Sequence, residues 1–342
     1  MSRWKSEWTA PGRLRGAMAA VSAALLLAGC SSAPQITPAD QPLSQQTLML
    51  LGKKGMRVEA PIFVRIFKEE SELEVWKQRE DGRYYHFKSY PICNWSGDLG
   101  PKLRQGDKQA PEGFYRVANN QLNPNSQFHV SFNLGYPNAY DRSLGRTGDF
   151  LMVHGKCKSA GCYAMTDALI EEIYGLAREA LKGGQQSFDV HAFPFRMTDE
   201  NMKRHNKSKW IGFWRTLKQG YDNFETNRVP PPVTVCEHRY MVNVSTAEGR
   251  EPQADGPCPV FRRPQLAPFI PKPAEQQLAS ERIEMPGPKM RTAETIHAPE
   301  GDEWKPPAVA SAGSGAGSTF TRMFGLGGTT GSQTKITGFG YR

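Results

Sequence analysis

The chain has 342 residues with 43 lysines and arginines against 34 acidic residues. Its hydrophobic content of 38%, with 33 glycines and 26 prolines, predicts one folded domain accompanied by disordered segments. No apolar run approaches the ~20 residues that cross a bilayer, which excludes a polytopic membrane protein, and six cysteines are too few for a small disulfide-stapled scaffold. The net charge of +9 is modest and spread along the chain, so it does not by itself indicate a nucleic-acid partner.

Residues 1–29 have the pattern of a secretory signal peptide. Basic residues precede an apolar stretch at 17–28 that is too short to span a membrane. The run Leu-Ala-Gly-Cys that ends at Cys30 resembles the lipobox of bacterial lipoproteins, in which Cys30 would be lipidated. Ordinary cleavage near residues 31–33 is the alternative. In both cases the mature chain is expected outside the cytoplasm, in the periplasm, and lipidation would anchor it to the outer membrane.

The first part of the mature chain changes from polar to β-rich. Residues 30–57 are rich in Ser, Pro and Gln, which predicts a linker. Alternating β-rich runs begin at residues 62–67, and Asp81-Gly82 between alternating segments predicts a hairpin. Further short strands are predicted at 113–117, 128–133 and 150–153, with Gly and Pro clustered in the loops. The pattern predicts a mainly β domain with short strands and long loops.

Two helices and a tail are predicted further along the chain. Thr166-Asp167 can cap an amphipathic helix that ends at Gly183-Gly184, and residues 201–221 are predicted as one more helix with basic and aromatic faces. From residue 245 to 342, Pro and then Gly, Ser and Thr recur without a hydrophobic period. Such a segment cannot bury enough apolar area to fold, so we predict a disordered tail.

Residues 150–165 contain the candidate residues for nucleophilic catalysis. A strand delivers His154, and a tight loop returns the chain to Cys162 just before the predicted helix. We expect the imidazole and the helix N-terminus to lower the pKa of the thiol and to favour the nucleophilic thiolate. Gly161 lets N–H groups near Cys162 face a substrate carbonyl as an oxyanion hole. No Asp lies close to His154 in the sequence, but a backbone carbonyl of the loop could orient its ring.

Two other interpretations of this stretch stay open on the residues alone. His154, Cys157 and Cys162, together with Cys93, total four potential zinc ligands, although the chain has no C-x2-C pair and an exported protein meets oxidising conditions. In the purely structural interpretation, His154 is a core histidine and the cysteines pair as disulfides. The nucleophilic interpretation is favoured.

The motif H-G-x3-S-x-G-C, formed by residues 154–162, resembles the signature of the YkuD-type L,D-transpeptidase catalytic domain, a cysteine peptidyl-transfer family of the bacterial cell wall. Other segments are similar to the YafK-like branch of that family: residues 93–97, 99–107, 111–115, 135–141, 161–165 and 193–198. The resemblance extends from about residue 62 to residue 240 and does not include the tail.

This resemblance implies a β-rich catalytic fold that uses no metal and no cofactor. It implies that Cys162 is the nucleophile and His154 the proton donor and acceptor, and Ser159 and Gly161 match the loop positions of the family. The implied reaction is acyl transfer at diaminopimelate in peptidoglycan stem peptides, through an acyl-enzyme that an amine or water then attacks. The YafK-like branch resembles enzymes that release envelope lipoprotein from peptidoglycan, so amide hydrolysis is an alternative. A non-catalytic peptidoglycan-binding lipoprotein is another.

The chain departs from the family two residues after the nucleophile, where Ala164 replaces the usual arginine. A fixed guanidinium suits a substrate carboxylate, so other residues must hold that group. The candidate arginines are Arg196, Arg142 and Arg146, and the resemblance suggests Tyr115, Asn138, Tyr140 and Asp141 as groove-lining residues.

The resemblance also favours a disulfide between Cys93 and Cys157 that would fix the catalytic loop in place. Cys236 and Cys258 could form a second disulfide at the start of the tail.

Five segments are therefore predicted: a signal peptide of the lipoprotein type (1–29), a linker (30–57), a catalytic domain (58–198), a helix and strand extension (199–244) and a disordered tail (245–342). The expected partners are peptidoglycan stem peptides that contain diaminopimelate, and the membrane through the lipid anchor. A peptidoglycan-linked envelope protein is a further candidate partner, and no nucleic acid is expected.

Overall fold

In a computed structural model, the described residues, 36–246 and 249–271, form fourteen strands, five α-helices and one 3-10 turn. The predicted signal peptide, Cys30 and residues 272–342 of the predicted tail lie outside the described residues. Short strands and long loops dominate, so the prediction of a mainly β fold is confirmed.

The strands are β1 (Ile62–Phe67), β2 (Glu72–Gln78), β3 (Tyr84–Pro91), β4 (Asn94–Trp95), β5 (Gly113–Ala118), β6 (Leu122–Asn123), β7 (Ser131–Asn133), β8 (Met152–His154), β9 (Tyr163–Ala164), β10 (Ser187–Phe193), β11 (Val233–Cys236), β12 (Arg239–Val242), β13 (Ser245–Thr246) and β14 (Phe261–Arg262). The helices are α1 (Gln45–Lys53), α2 (Ala139–Ser143), α3 (Asp167–Lys182), α4 (Asp199–Arg204) and α5 (Ile211–Asn227), and the 3-10 turn is Asn119–Gln121.

The first sheet has the strand order β3-β2-β1-β10-β5. Its central strand β1 pairs antiparallel with β2 and parallel with β10, and all six of its residues are buried. A strand that is covered on both faces has a nearly continuous apolar sequence, which explains the Ile-Phe-Val at the start of β1. In the edge strand β3, by contrast, only Tyr84, Phe87 and Tyr90 are buried, and the other residues are partly exposed.

The second sheet, with the order β4-β9-β8-β7-β6, carries the candidate site. Strand β8 pairs antiparallel with β7 and parallel with β9, so that Val153 lies opposite Tyr163 and His154 opposite Ala164. Helix α3 contacts β1 and β10 of the first sheet and β7 and β8 of the second. The apolar stripe predicted for this helix therefore joins the two sheets into one core.

The two predicted helices have different outcomes. Helix α3 is confirmed, because the Thr166 side chain accepts a hydrogen bond from the Leu169 N–H at its start and Gly183 caps its end. The prediction of a single helix over residues 201–221 is wrong, since α4 and α5 are separated by a turn. The Ser208 hydroxyl accepts a hydrogen bond from the Trp210 N–H at 3.2 Å, which gives the backbone a turn there instead of a continued helix.

Two segments that were predicted to lack structure are folded in part. Helix α1 lies within the predicted linker, where Leu51 is buried and the Thr47 hydroxyl donates to Glu172 at 3.0 Å. In the predicted tail, β13 pairs with β14, and the Phe269 N–H donates to the Thr226 carbonyl at 2.7 Å. The linker and tail predictions are therefore wrong for these residues, because each segment places a few apolar groups on the domain. Within the described residues, no helix combines the length and the apolar character that a membrane span needs.

Candidate active site

His154 is the last residue of β8, and its side chain is almost entirely buried, with 4% of its surface exposed. Its Nδ1 lies 2.7 Å from the Gly155 carbonyl oxygen. A carbonyl only accepts hydrogen bonds, so Nδ1 carries the proton and Nε2 is left with a lone pair. A backbone carbonyl thus orients the ring, as the sequence suggested in the absence of a nearby Asp.

Cys162 is the free cysteine among the described residues and is partly exposed. It lies immediately before β9, and its Sγ accepts a hydrogen bond from the Met152 N–H at 3.4 Å. The thiol in turn donates to the Phe150 carbonyl at 3.7 Å. These two contacts hold the sulfur against the start of β8.

The strand register places Cys162 and His154 on the same face of the second sheet. Ala164 is the in-register partner of His154, and side chains alternate between the two faces along a strand, so continuing the alternation of β9 back to Cys162 gives the cysteine the face of His154. Ala164 is small and fully buried, and its side chain leaves room for the imidazole on that face.

Ser159 organises the loop in front of the sulfur. Its hydroxyl donates to the Cys162 carbonyl at 2.6 Å and accepts a hydrogen bond from the Gly161 N–H at 3.3 Å. Gly161 has a φ of +121°, a conformation that favours glycine. The Gly161 N–H points to Ser159 in this structure, so it can serve an oxyanion only after that hydrogen bond opens.

The turn after His154 is held from two sides. A Cβ on Gly155 would come within 2.5 Å of Asp167 Oδ1, so only glycine fits. The next two residues, Lys156 and Cys157, both have positive φ, and the Lys156 N–H donates to Asp167 Oδ1 at 2.8 Å. Cys157 forms a disulfide with Cys93, the pairing that the family resemblance favoured.

The two disulfides decide between the interpretations of the cysteines. The Cys93–Cys157 bond takes two of the four potential zinc ligands, so the zinc site suggested by the sequence is not formed. Cys236 and Cys258 also form a disulfide, which ties the residues after β12 to β11. Cys162 is left with a thiol, the state that nucleophilic chemistry needs.

The electrostatics of the pair differ from the expectation. Burial raises the pKa of the Cys162 thiol, and the Met152 N–H and the charge of Lys102 oppose this only in part. Burial also lowers the pKa of His154. The expected lowering of the thiol pKa by a helix N-terminus is wrong, because β9 and two further residues separate Cys162 from the first residue of α3. At neutral pH the pair is therefore a thiol beside a neutral imidazole.

Three neighbours of the pair were not singled out from the sequence as site residues. The ring of Phe128, 41% exposed, lies 4.7 Å from the imidazole of His154 between ring centres, and Phe150, 68% exposed, supplies the carbonyl that receives the thiol. Phe150 has a φ of +51°, which is rare for an aromatic residue. Lys102 forms an ion pair with Asp107 and contributes positive charge near the sulfur. An aromatic residue just before the histidine strand is a signal that sequence analysis could have used.

The groove residues suggested by the resemblance have structural contacts. Tyr140 is stacked between Tyr240 and Phe213, with ring centres 4.2 and 5.7 Å away. Asn138 caps α2 and donates to the Phe114 carbonyl at 2.8 Å. The Tyr115 hydroxyl lies 3.3 Å from Asp141, whose carboxylate is itself buried. None of their described contacts reaches Cys162 or His154.

The candidate arginines also have partners within the protein. Arg196 forms ion pairs with Glu72 and Glu74 of β2 at 2.5 and 2.8 Å, and these carboxylates raise the pKa of its guanidinium despite burial. Arg146 is buried against Asp141 at 2.8 Å. Arg142 donates to the Pro137 carbonyl. The described contacts of these arginines do not include either member of the pair.

The chain was compared with known proteins, and no family profile matches it. Among solved structures, it is similar to the helical cell shape determining protein Pgp2 from Campylobacter jejuni, with 19% identity and a TM-score of 0.33 over 52% of this chain and 68% of that chain. It is also similar to Bd1075 of Bdellovibrio bacteriovorus, with 17% identity and a TM-score of 0.28 over 48% of this chain and 62% of that chain.

The sequence similarity is much higher for two proteins of Escherichia coli. The chain is 48% identical over 223 residues to the protein of strain K12 named "Putative L,D-transpeptidase YafK", and the match covers 65% of this chain and 85% of the relative. The protein of the same name from strain O157:H7 matches with the same identity and coverage. The chain therefore belongs to the YafK family of L,D-transpeptidase-like proteins.

Proposed function

We propose that this protein is an exported cysteine acyltransferase that acts on peptidoglycan stem peptides at diaminopimelate. Its relatives of the same family carry the name of an L,D-transpeptidase. The observation that carries the proposal is a free thiol, Cys162, on the sheet face of a histidine whose Nδ1 is bound to a backbone carbonyl. That hydrogen bond directs the lone pair of the ring to Nε2, where a thiol proton can be received.

In the first half of the reaction, His154 Nε2 takes the proton of Cys162 while the sulfur attacks the carbonyl carbon of a stem-peptide amide. The tetrahedral intermediate collapses with cleavage of the C–N bond, and His154 returns the proton to the leaving amine. The product is a thioester on Cys162 and a free amine. The neutral state of both side chains suits this sequence, because the imidazole is ready to accept a proton and the thiol still carries one.

In the second half, an acceptor attacks the thioester. An amine of another stem peptide gives transpeptidation, and water gives hydrolysis. His154 removes the proton of the acceptor and gives it to the departing sulfur, which restores both side chains. Since the two outcomes share the acyl-enzyme, amide hydrolysis that releases an envelope lipoprotein from diaminopimelate is the second candidate.

Ser159 and Gly161 are proposed as positioning residues of this site. The Ser159 hydroxyl binds the Cys162 carbonyl at 2.6 Å and receives the Gly161 N–H, so it holds the backbone on which the nucleophile is mounted. The contacts of Asn138, Tyr140 and Arg196 favour structural roles for these three residues instead. A passive binding protein, the third alternative, has no need of an oriented base beside a free thiol.

The proposal includes export by a lipoprotein signal peptide at residues 1–29, lipidation of Cys30 and anchoring to the outer membrane on its periplasmic side. Both disulfides of the described residues support an oxidising compartment. We further propose that residues 58–244 act as one catalytic unit, because α5 of the extension buries Trp214 in the same core as β1.

The test is incubation of the purified protein with isolated sacculi that carry covalently bound lipoprotein, followed by mass analysis of the released muropeptides. New links between two diaminopimelate residues indicate transpeptidation. Loss of protein-bound muropeptides without new links indicates hydrolysis. The matched control is Cys162→Ser, which we expect to show neither product at an unchanged melting temperature. Unaltered muropeptides with the wild-type protein, or products with Cys162→Ser, would contradict the proposal.

A further inference from the structure

A pocket of about 430 Å³ lies between β5, β10, the segment around α2 and the β11–β12 hairpin. Neither Cys162 nor His154 is among its lining residues, so it is distinct from the candidate active site. Its volume is within the range of about 300–1,000 Å³ that is usual for small-molecule sites. The residues after β12 close one side, through Glu251 and Pro252.

The floor of this pocket is a built array on one face of the first sheet. In the antiparallel pair of β5 and β10, Arg116 lies opposite Asp189 and Phe114 opposite His191. Residues two apart on a strand share a face, so all four side chains point to the same side. Arg116, whose side chain is largely exposed, donates to Asp189 at 3.1 Å, so an ion pair lies beside an aromatic pair on this face of the sheet.

His191 has an unmet hydrogen-bonding capacity in this pocket. Its ring is only 2% exposed, between the rings of Phe63 and Phe114 at 4.7 and 4.6 Å, and its Nδ1 has no partner among the described residues. A buried polar atom without a partner is energetically costly. Burial, together with the charges of Arg65 and Arg116, lowers the pKa of His191 to about 3, so the ring is neutral at physiological pH. Nδ1 is itself shielded from solvent, so a ligand group in the pocket would bond to it after a rotation of the ring, and that bond would remove this cost.

The charged groups of the lining are balanced. Arg116 and Arg142 supply two positive charges, and Asp189 and Glu251 supply two negative ones. Glu251 is held by the Thr234 hydroxyl at 2.5 Å, and Arg142 by the Pro137 carbonyl. A lining with both signs and no net charge gives little preference for a simple anion or a simple cation. It complements a molecule that carries one charge of each sign.

We propose that this pocket binds a small zwitterion of amino-acid or dipeptide size. Its carboxylate lies toward the guanidinium groups of Arg142 and Arg116, its ammonium group toward Glu251, and a polar atom between them bonds to His191 Nδ1. The side chain of Phe114 and the valines of β11 receive its apolar part. This pocket shares no residue with the Cys162–His154 pair, although Arg142, Asn138 and Tyr115 of its lining are among the residues that the sequence analysis suggested for the substrate groove.

The test uses the full chain with Cys162→Ser, so that no turnover of a probe is possible. Titration calorimetry compares alanyl-alanine, in its L,L and D,D forms, with acetyl-alanyl-alanine, which lacks the ammonium group, and with alanyl-alanine amide, which lacks the carboxylate. We expect one form of the dipeptide to bind at least tenfold more tightly than either of its single-charge analogues. NMR of the histidine rings should show a shift of the His191 resonances on saturation.

Variants separate a specific site from a solvent-filled cavity. Arg142→Met and Glu251→Gln should each weaken binding at least tenfold, whereas Arg57→Met, an exposed arginine outside the pocket, should leave it unchanged. Melting curves of each variant report folding separately. Absence of saturable binding up to about 10 mM in every probe would overturn the inference. Equal affinity for a single-charge analogue, or unchanged affinity in Arg142→Met, would do the same. The sacculus assay with wild-type protein stays informative in each case.

Discussion

In the proposed reaction, the proton on Nδ1 of His154 determines how the imidazole can serve the sulfur of Cys162. Because that proton is bound to the Gly155 carbonyl at 2.7 Å, Nε2 acts as an acceptor without a carboxylate partner. The thiol of Cys162 stays protonated until substrate arrives, since its pKa is raised by burial. The proposed chemistry is therefore general-base catalysis on a neutral pair, whereas the sequence led us to expect a lowered thiol pKa that favours the thiolate.

The pH dependence of alkylation tests this protonation state. Iodoacetamide reacts with the thiolate, and the thiolate fraction rises tenfold per pH unit below the thiol pKa. With a pKa above the ordinary value of about 8.5, the labelling rate of Cys162 should keep rising from pH 6 to pH 9. A short cysteine peptide is the control and should level off earlier. A plateau with a midpoint below pH 7 would contradict the neutral pair.

Gly155 occupies a position at which the site does not accommodate a larger side chain. A Cβ there would lie 2.5 Å from Asp167 Oδ1 and 3.0 Å from the Phe128 carbonyl, whereas a Cβ on Gly52 in helix α1 would meet nothing within 4 Å. Gly155→Ala should lower the free energy of unfolding by about 1–3 kcal/mol and displace His154. Gly52→Ala should raise it by up to about 1 kcal/mol. Urea unfolding measures both, and equal effects would show that the turn is not tightly packed.

At the scale of structural elements, the loop between β8 and β9 joins the two residues that we propose as the catalytic pair, His154 and Cys162. The Cys93–Cys157 disulfide closes a segment with a sequence separation of 64, and Cys236–Cys258 closes one of 22. Replacing either pair by alanine should cost about 2–4 kcal/mol of unfolding free energy. Only the Cys93→Ala and Cys157→Ala double variant should also slow labelling of Cys162 by a substrate-like electrophile. The Cys236→Ala and Cys258→Ala double variant is the matched control, and equal labelling rates would contradict a role of the first bond in the site.

Elements with a local signal were predictable, and elements defined by distant contacts were not. Helix α3 follows from its own cap and apolar stripe, and β1 from its run of β-branched and aromatic residues. Helix α1 also has a cap, because the Ser44 hydroxyl accepts a hydrogen bond from the Thr47 N–H, but it is only nine residues long, and it is held by the burial of Leu51 and by Thr47 bonded to Glu172, which is 125 residues away. The break between α4 and α5 was missed because the basic and aromatic pattern continues through the Ser208 turn.

Over the whole molecule, the candidate pair was predictable because one short motif contains both residues, whereas their surroundings were not. The parallel pairing of β1 with β10 joins residues more than 120 positions apart, and no local pattern encodes such a contact. For the same reason, the motifs suggested substrate-binding roles for Arg196 and Tyr140, whereas in the structure Arg196 forms an ion pair with Glu72 and Tyr140 stacks on Tyr240. The Phe128 ring on His154 also comes from a different part of the chain.

Buried neutral histidine should make the whole fold sensitive to acid. The pKa of His191 is lowered to about 3 in the folded protein against about 6.5 in the unfolded chain, so the unfolded state gains the proton first as the pH falls. Lowering the pH from 7 to 5 should therefore reduce the free energy of unfolding by on the order of 2 kcal/mol through His191. The phenylalanine ring of His191→Phe suits the aromatic surroundings and cannot take up a proton. In urea unfolding, this variant should therefore lose less free energy of unfolding than the wild type over this pH range, by the same amount. An equal loss in both proteins would contradict the assignment.

Intact-mass analysis after incubation with a carbapenem would decide most directly whether Cys162 is a nucleophile. The strained β-lactam carbonyl offers an amide that a thiol opens to a stable thioester. We predict a single adduct with the mass of the whole carbapenem, mapped to the peptide that contains Cys162. His154→Gln should form it about 10²–10⁴-fold more slowly, and Cys162→Ser should form none. The absence of an adduct on the folded wild-type protein, or an adduct that persists in Cys162→Ser, would contradict acyl transfer at this sulfur.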